Sequence, residues 1–147
     1  MRTAWPVIVA ILCALGLAAR ADEAPVGFVK TLSGTVTVTH GAVITAAALA
    51  MSVYEHDRLE TGGDGECGIT FRDNTRISLG PNSRIDLEHF VFKPAAQQYG
   101  FILRLAWGTL EYISGLTEKL APEAMSIETP GSTIGARGTR LLVRAEK

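Results

Sequence analysis

The sequence predicts an all-β fold, a single domain of short strands in a two-layer sandwich or roll, with a short β-solenoid as the alternative. Apolar and polar residues alternate in runs of about four to six residues, the period of half-buried strands. Gly, Pro, Asn, Asp or Ser bound each run. Nearly the same phrase also occurs twice, as NTRISL at residues 74–79 and NSRIDL at 82–87. The spacing of eight residues leaves no room for a helix between the copies. A hydrophobic fraction of 47% is enough to build a core.

The first 21 residues are predicted to be a secretory signal peptide. Arg2 gives a positive start, residues 4–19 carry no charge, and Ala19-Arg20-Ala21 has the small-x-small pattern of a cleavage site. A spanning helix needs about 20 apolar residues, so cleavage is favoured over a retained anchor. We therefore expect export to the periplasm and no membrane span after cleavage.

The mature chain divides into a tether with the lead-in to the first strand, residues 22–34, and one β domain, residues 35–147. Predicted strands lie at residues 35–40, 67–71, 77–79, 85–87, 90–92, 99–105, 109–113, 126–128 and 139–144. Weak helical character occurs at 46–54, which could form a helical turn, and at 116–125. The second segment contains Pro122 and is predicted to be a loop, so we expect almost no helix.

The repeated phrase places a turn before each of two short strands. Asn74 and Asn82 follow Asp73 and Pro81, and asparagine tolerates the left-handed backbone conformation that tight turns need. The spacing of eight residues puts Ile69, Ile77 and Ile85 in one apolar column. Successive strands should therefore lie side by side, either as an antiparallel meander or as coils of a solenoid.

Cysteine and histidine placement argues against a reactive or metal site. Cleavage after residue 21 removes Cys13 and leaves Cys67 alone, so no intramolecular disulfide can form, and alternation predicts a buried Cys67. The histidines, His40, His56 and His89, are far apart in sequence. The sequence therefore predicts no enzyme, no catalytic or metal-binding residues and no cofactor.

Two further patterns exclude nucleotide and nucleic-acid binding. The glycine-rich stretch at residues 129–139 (TPGSTIGARGT) lacks the following lysine and helix of a phosphate loop. A net charge of −1 offers no basic excess for nucleic-acid phosphates.

Interaction is the remaining class of function, and few residues are candidates for it. The glycine-rich stretch and the start of the next strand supply Ser132, Thr133, Arg137 and Arg140. Trp107 is favoured as a core ring, with a stacking platform for sugars as the alternative. The sequence leaves open whether the partner is another cell-envelope protein or a cell-wall or exopolysaccharide glycan, for which Trp107 or Tyr112 would be the platform.

Three stretches resemble the FecR-like domain family, named for the regulator of ferric citrate uptake. They are SGTVTV, the central run HDRLETGGDGECGITFRDNTRISLGPNSRIDL, and IETPGSTIGARGTRLLV, and the resemblance covers roughly residues 36–143. Two positions depart from the family pattern. His56 and Asn74 stand where the family usually has glycine, and His56 suggests a turn that does not require a positive φ.

The resemblance implies an extracytoplasmic all-β domain that binds rather than catalyses. In membrane-spanning members this domain passes a signal from an outer-membrane receptor to a sigma factor through a cytoplasmic region. Only Met1 to Thr3 precede the apolar run here. We therefore expect this chain to share the extracytoplasmic domain of the family but not its transmembrane signalling role. The expectation is a periplasmic protein-interaction or signal-sensing domain.

Overall fold

The computed structural model describes residues 23–138 and 140–147. Strands account for 59% of it and helices for 9%, which confirms the predicted all-β class. None of the helices in this part of the chain is long and apolar enough to cross a membrane. The predicted signal peptide lies outside the described residues.

Twelve strands form one sheet. They are β1 (Gly27–Ser33), β2 (Val36–His40), β3 (Val43–Ala46), β4 (Ser52–Val53), β5 (Arg58–Thr61), β6 (Glu66–Phe71), β7 (Arg76–Leu79), β8 (Arg84–Lys93), β9 (Gln98–Ile113), β10 (Met125–Thr129), β11 (Ser132–Gly135) and β12 (Arg140–Ala145). One short helix, α1 (Leu116–Leu120), and two 3-10 turns, Pro94–Ala96 and Pro122–Ala124, complete the described elements.

The sheet curls into half a barrel around strand β9, which belongs to both of its halves. Residues 98–107 of β9 pair with β8, and residues 101–104 pair with β10 in the one parallel pairing described. Residues 108–113 pair with β12, and residues 110–113 with β7. One half thus runs β3-β2-β5-β8-β9-β10-β11, and the other runs β4-β1-β6-β7-β9-β12.

The repeated phrase forms part of this curl rather than a solenoid. Ile69 and Ile77 lie directly opposite each other in the antiparallel pair β6–β7. Ile85 lies on β8 opposite Leu105, across β9 from the first two. All three isoleucines are buried, as predicted, but the third joins the core from the other half of the sheet. Antiparallel pairing excludes the parallel coils of the solenoid alternative.

The core lies in the concave side of the curl and joins the two halves. The rings of Phe71 on β6 and Phe101 on β9 meet edge to face with centroids 4.8 Å apart, and Phe90 on β8 packs 5.1 Å from Phe101. Cys67 is buried on β6 opposite Leu79, and burial raises the pKa of its thiol to about 11. It is therefore a small hydrophobic residue and not a thiolate, as the alternation predicts.

Several elements differ from their predicted form. Residues 27–33, predicted only as a lead-in, form β1, which pairs with β6. The two strands predicted at 99–105 and 109–113 are one continuous β9. The segment predicted as a loop contains α1, which ends before Pro122. Residues 43–46, 58–61 and 132–135 were not predicted as strands and form β3, β5 and β11. The segment 46–54, which could have formed a helical turn, contains the short strand β4 instead.

Five of the described non-glycine residues lie in the left-handed region, among them the three at predicted turns, His56, Asn74 and Asn82. Asn74 (φ 65°) and Asn82 (φ 50°) do so as their residue type suggests. The expectation that the turn at His56 needs no positive φ is wrong, since its φ is 69°. The His56 N–H donates to the Leu87 carbonyl at 2.7 Å, which fixes this conformation while the side chain stays 70% exposed.

Replacing His56 by glycine is expected to raise the melting temperature by about 1–3 °C. The left-handed conformation costs a residue with a Cβ about 1 kcal/mol, and part of the gain is lost because glycine loosens the unfolded chain. Thermal unfolding followed by circular dichroism measures the change, and Asn74→Gly is the matched control with a smaller gain. A lower melting temperature for His56→Gly would mean that the Glu55–His56 contact outweighs the strain.

Candidate interaction surface

The last two strands of the sheet, with the loop between them, form a surface that we call the closing edge (residues 132–138 and 140–145). Within the described residues β11 pairs with β10 alone and β12 with β9 alone. Each strand therefore keeps one backbone edge free for another strand. Ser132 and Thr133 are exposed on β11, while Ile134 packs against the core.

Glu118 of α1 hydrogen-bonds to the backbone of the loop between β11 and β12. Ala136 is fully buried, and the Gly138 N–H donates to Glu118 Oε1 at 2.6 Å. The other oxygen, Oε2, accepts a hydrogen bond of 2.9 Å from the buried Tyr112 hydroxyl. Burial and then Glu118 raise the pKa of Tyr112, so the phenol keeps its proton and remains a donor. Arg137 is thus an exposed residue between two fixed ones.

The position of α1 is set in turn by the buried carboxylate of Asp73, in the first copy of the repeated turn. Asp73 Oδ1 accepts from the Thr75 N–H at 3.0 Å, and Oδ2 accepts from Thr75 Oγ1 at 2.8 Å. Oδ2 also accepts from the Thr117 N–H, and the Asp73 carbonyl accepts from the Leu116 N–H at 2.7 Å. The turn therefore holds the first residues of the helix that carries Glu118.

A shallow hollow of about 400 Å³ lies beside the loop. Its lining includes Arg137, Glu118 and Glu123. Both Glu118 oxygens already accept hydrogen bonds within the fold. Arg137 makes no ion pair among the described residues, and its guanidinium can donate to a carboxylate or carbonyl of a partner.

The other predicted residues of this surface are engaged to different degrees. Arg140 forms an ion pair with Glu111 on the neighbouring strand β9. Ser132 is tied into the β10–β11 turn, where its backbone N–H and its hydroxyl both bond to Thr129 Oγ1. Thr133 is exposed, and no side-chain hydrogen bond involves it in the described residues. Ser132 and Thr133 thus lie on β11, Arg137 follows in the loop, and Arg140 begins the next strand.

A row of alternating charges crosses the outer face and ends at the closing edge. Arg58, Asp86, Arg104 and Glu128 occupy directly opposed positions on β5, β8, β9 and β10, and Thr133 follows on β11. Arg58 Nε lies 2.7 Å from Asp86 Oδ1, and Arg104 Nη2 lies 3.1 Å from Glu128 Oε2. Opposed charges stabilise neighbouring strands. The sequence gives no sign of this row because it depends on strand register.

Trp107 lies beside the end of β12, where Arg144 and Ala145 line the same cleft, and the favoured interpretation of it as a core ring is wrong. It is half-buried opposite Arg84, whose Cζ lies 5.0 Å from the ring centroid, and Lys147 Nζ lies 4.9 Å from it. The ring lines an open cleft of about 590 Å³. Tyr112, the other aromatic considered for sugar binding, is fully buried and cannot serve as a platform.

The histidines and acidic residues that the structure describes do not form a metal site. No group of three or more His, Cys, Asp and Glu residues there is arranged to hold a metal ion. His40 contacts the buried Asp57, which also accepts from the Tyr54 N–H. The Asp57 carboxylate thereby ties β2 to the turn before β5.

Comparison with known proteins gives one match. The family model described as FecR protein matches residues 57–147. No curated protein and no solved structure matches the chain significantly. The matched stretch begins at the start of β5 and contains the Asp73 turn, Glu118 and the whole closing edge.

Proposed function

The chain belongs to the FecR protein family and carries a FecR-like regulatory domain, and from this membership we propose that it is an exported, non-enzymatic module that binds another protein of the cell envelope. The binding surface in this proposal is the closing edge. The N-terminal 21 residues support a periplasmic location through their charge pattern and length.

The observation that carries the proposal is the pair of open strand edges, which are supported by α1. An added strand can pair with the free backbone of β11, the mode in which main-chain hydrogen bonds give affinity and side chains give specificity. Arg137 lies next to this edge and can bind a carboxylate of the same partner. The Glu118 contacts fix the loop before binding, which lowers the entropic cost of association.

Replacing Arg137 by alanine is expected to reduce partner recovery at least about fivefold in a crosslinking pull-down from periplasm, because a charge-assisted hydrogen bond contributes about 1–3 kcal/mol. The melting temperature should change by less than about 2 °C, since the side chain is exposed. Arg76→Ala, an exposed arginine on β7, is the matched control and should leave recovery unchanged.

Two results would contradict this assignment. A large fall in melting temperature for Arg137→Ala would make the residue structural. Equal recovery with both variants would place the binding surface elsewhere on the domain.

The Trp107 cleft supports a second candidate function, binding of a cell-wall or exopolysaccharide glycan. A half-exposed indole in an open cleft with polar walls is a common sugar platform, provided that the terminal Lys147 side chain moves off the ring. Trp107→Ala is then expected to abolish retention on insoluble cell-wall material, measured by co-sedimentation. Phe28→Ala, another partly exposed aromatic, is the control and should be retained as wild type. Wild-type protein that stays in the supernatant would eliminate this function.

A further inference from the structure

Strand β3 forms one of the two ends of the sheet that lie farthest from the closing edge in strand order, and it carries no charge. β3 pairs with β2 alone among the described strands, and all four of its residues are exposed. Ile44 is 71% exposed and Val43 is 64% exposed. Residues 41–54 contain no charged side chain. Natural edge strands are usually protected by lysine, proline or a bulge, and β3 has none of these.

We propose that β3 pairs antiparallel with β3 of a second copy of this chain, so that the protein is a two-fold symmetric dimer. The dimer is independent of the envelope partner proposed above, because it uses the opposite edge of the sheet. It would leave a closing edge free on each copy.

The absence of charge makes this edge compatible with a second copy of itself. A two-fold interface places a surface against itself, so the strand must be compatible with its own charges. On β12, self-pairing centred on Leu142 would place Arg140 opposite Arg144, and like charges directly opposed are destabilising. β4 is only two residues long, and β11 presents Ser132 and Thr133 rather than large apolar side chains. Among the edge strands that the structure describes, β3 alone combines an uncharged edge with large exposed apolar side chains.

The pleat restricts the register of the pair. Directly opposed side chains of two antiparallel strands must lie on the same face of the sheet. The two-fold axis is normal to the sheet, so it has to lie midway between one residue and the same residue of the second copy. An axis at Ile44 places this side chain against its own counterpart, on the outer face that also carries Thr39 and Arg58. The same register places Val43 against Thr45. The most exposed apolar side chain of the strand is then buried at the centre.

The arrangement stops at two copies. One backbone edge of β3 is already used by β2, and the second copy would use the other. An isologous contact of this kind closes and does not propagate into a fibre.

The first test is the molecular mass of the full chain, purified as the cell processes it, by sedimentation velocity at about 10 and 100 μM. We expect a dimer for wild type and a monomer for Ile44→Lys. The dissociation constant of the variant should be at least about tenfold higher, because its two lysines would lie opposite each other. Leu142→Lys, at a position that is 74% exposed on β12, is the matched control and should remain a dimer. A wild-type monomer at both concentrations overturns the proposal, as does an Ile44→Lys dimer.

The second test fixes the register. Directly opposed residues of antiparallel strands have Cα atoms about 4.5–5.5 Å apart, within the range of a disulfide. In a Cys13→Ser background, Ile44→Cys should form a covalent dimer under mild oxidation, while Ser132→Cys on the closing edge should not. The buried Cys67 stays unreacted in both proteins. Equal crosslinking of the two variants, or none at residue 44, overturns the register.

Discussion

Replacing Asp73 by alanine is expected to lower the free energy of unfolding by at least about 3 kcal/mol, because three buried donors lose their acceptor at once. The donors are Thr75 N–H, Thr75 Oγ1 and Thr117 N–H. Each unsatisfied buried group costs about 1–3 kcal/mol. Urea denaturation followed by circular dichroism measures the loss. The unfolding free energy of Asp73→Asn should lie between those of wild type and Asp73→Ala, because asparagine keeps one acceptor oxygen.

The control for this experiment is Asp64→Ala. Asp64 also accepts a backbone hydrogen bond, from Thr35 N–H at 3.2 Å, but it is exposed to solvent. Its loss should cost less than about 1 kcal/mol, since water replaces the acceptor. If Asp73→Ala and Asp64→Ala had similar effects, the turn would not depend on the buried carboxylate.

The Gly115→Ala substitution is expected to cost about 3 kcal/mol or more, through the same junction of turn and helix. A Cβ at this position would lie 2.5 Å from both the Asp73 carbonyl oxygen and Thr75 Oγ1, and closer still to Thr75 N. Two of these three atoms belong to the backbone, so a rotamer change cannot relieve the clash. Urea denaturation again gives the change in unfolding free energy.

Gly135→Ala on β11 is the matched control, because a Cβ there meets nothing within 4 Å. It should change stability by less than about 0.5 kcal/mol. The double variant Asp73→Ala, Gly115→Ala should lose less than the sum of the two single losses, since both disrupt one junction. Strict additivity would mean that the two residues act on separate parts of the fold.

Local signals made most of the long strands and the repeated turns predictable, but they did not reveal the contacts between distant residues. Alternation identified the buried isoleucines, and the Asp73-Asn74 pair identified a tight turn, because both depend on neighbouring residues. The bond from Thr117 N–H to Asp73 spans 44 positions and has no signature in the sequence. The candidate residues near 132–140 were found from their glycines, but their support by Glu118 was not.

The misassignment of Trp107 has a similar cause. Leu103 and Leu105 point into the core at odd positions, whereas Leu110 and Tyr112 do so at even positions. The pairing of β8 with β9 shifts register between these two pairs, opposite residues 84 and 85. Gly108, with a φ of 96°, lies just beyond the shift. Trp107 lies at this shift, so neither the alternation before it nor the alternation after it fixes the face on which the indole lies.

The sharing of β9 between both halves of the sheet also affects the order of folding. Strands β7 and β8 both precede β9 in the chain, and each must pair with a different part of it. A polypeptide that emerges amino terminus first, from a ribosome or a translocation pore, therefore leaves both half-cores open until residues 98–113 follow. The pairing of β8 with β9 is a local hairpin, but the pairing of β7 with β9 spans 31–37 positions, and such long-range pairing is typically slow. The domain should therefore expose apolar surface until β9 has emerged and joined the two halves.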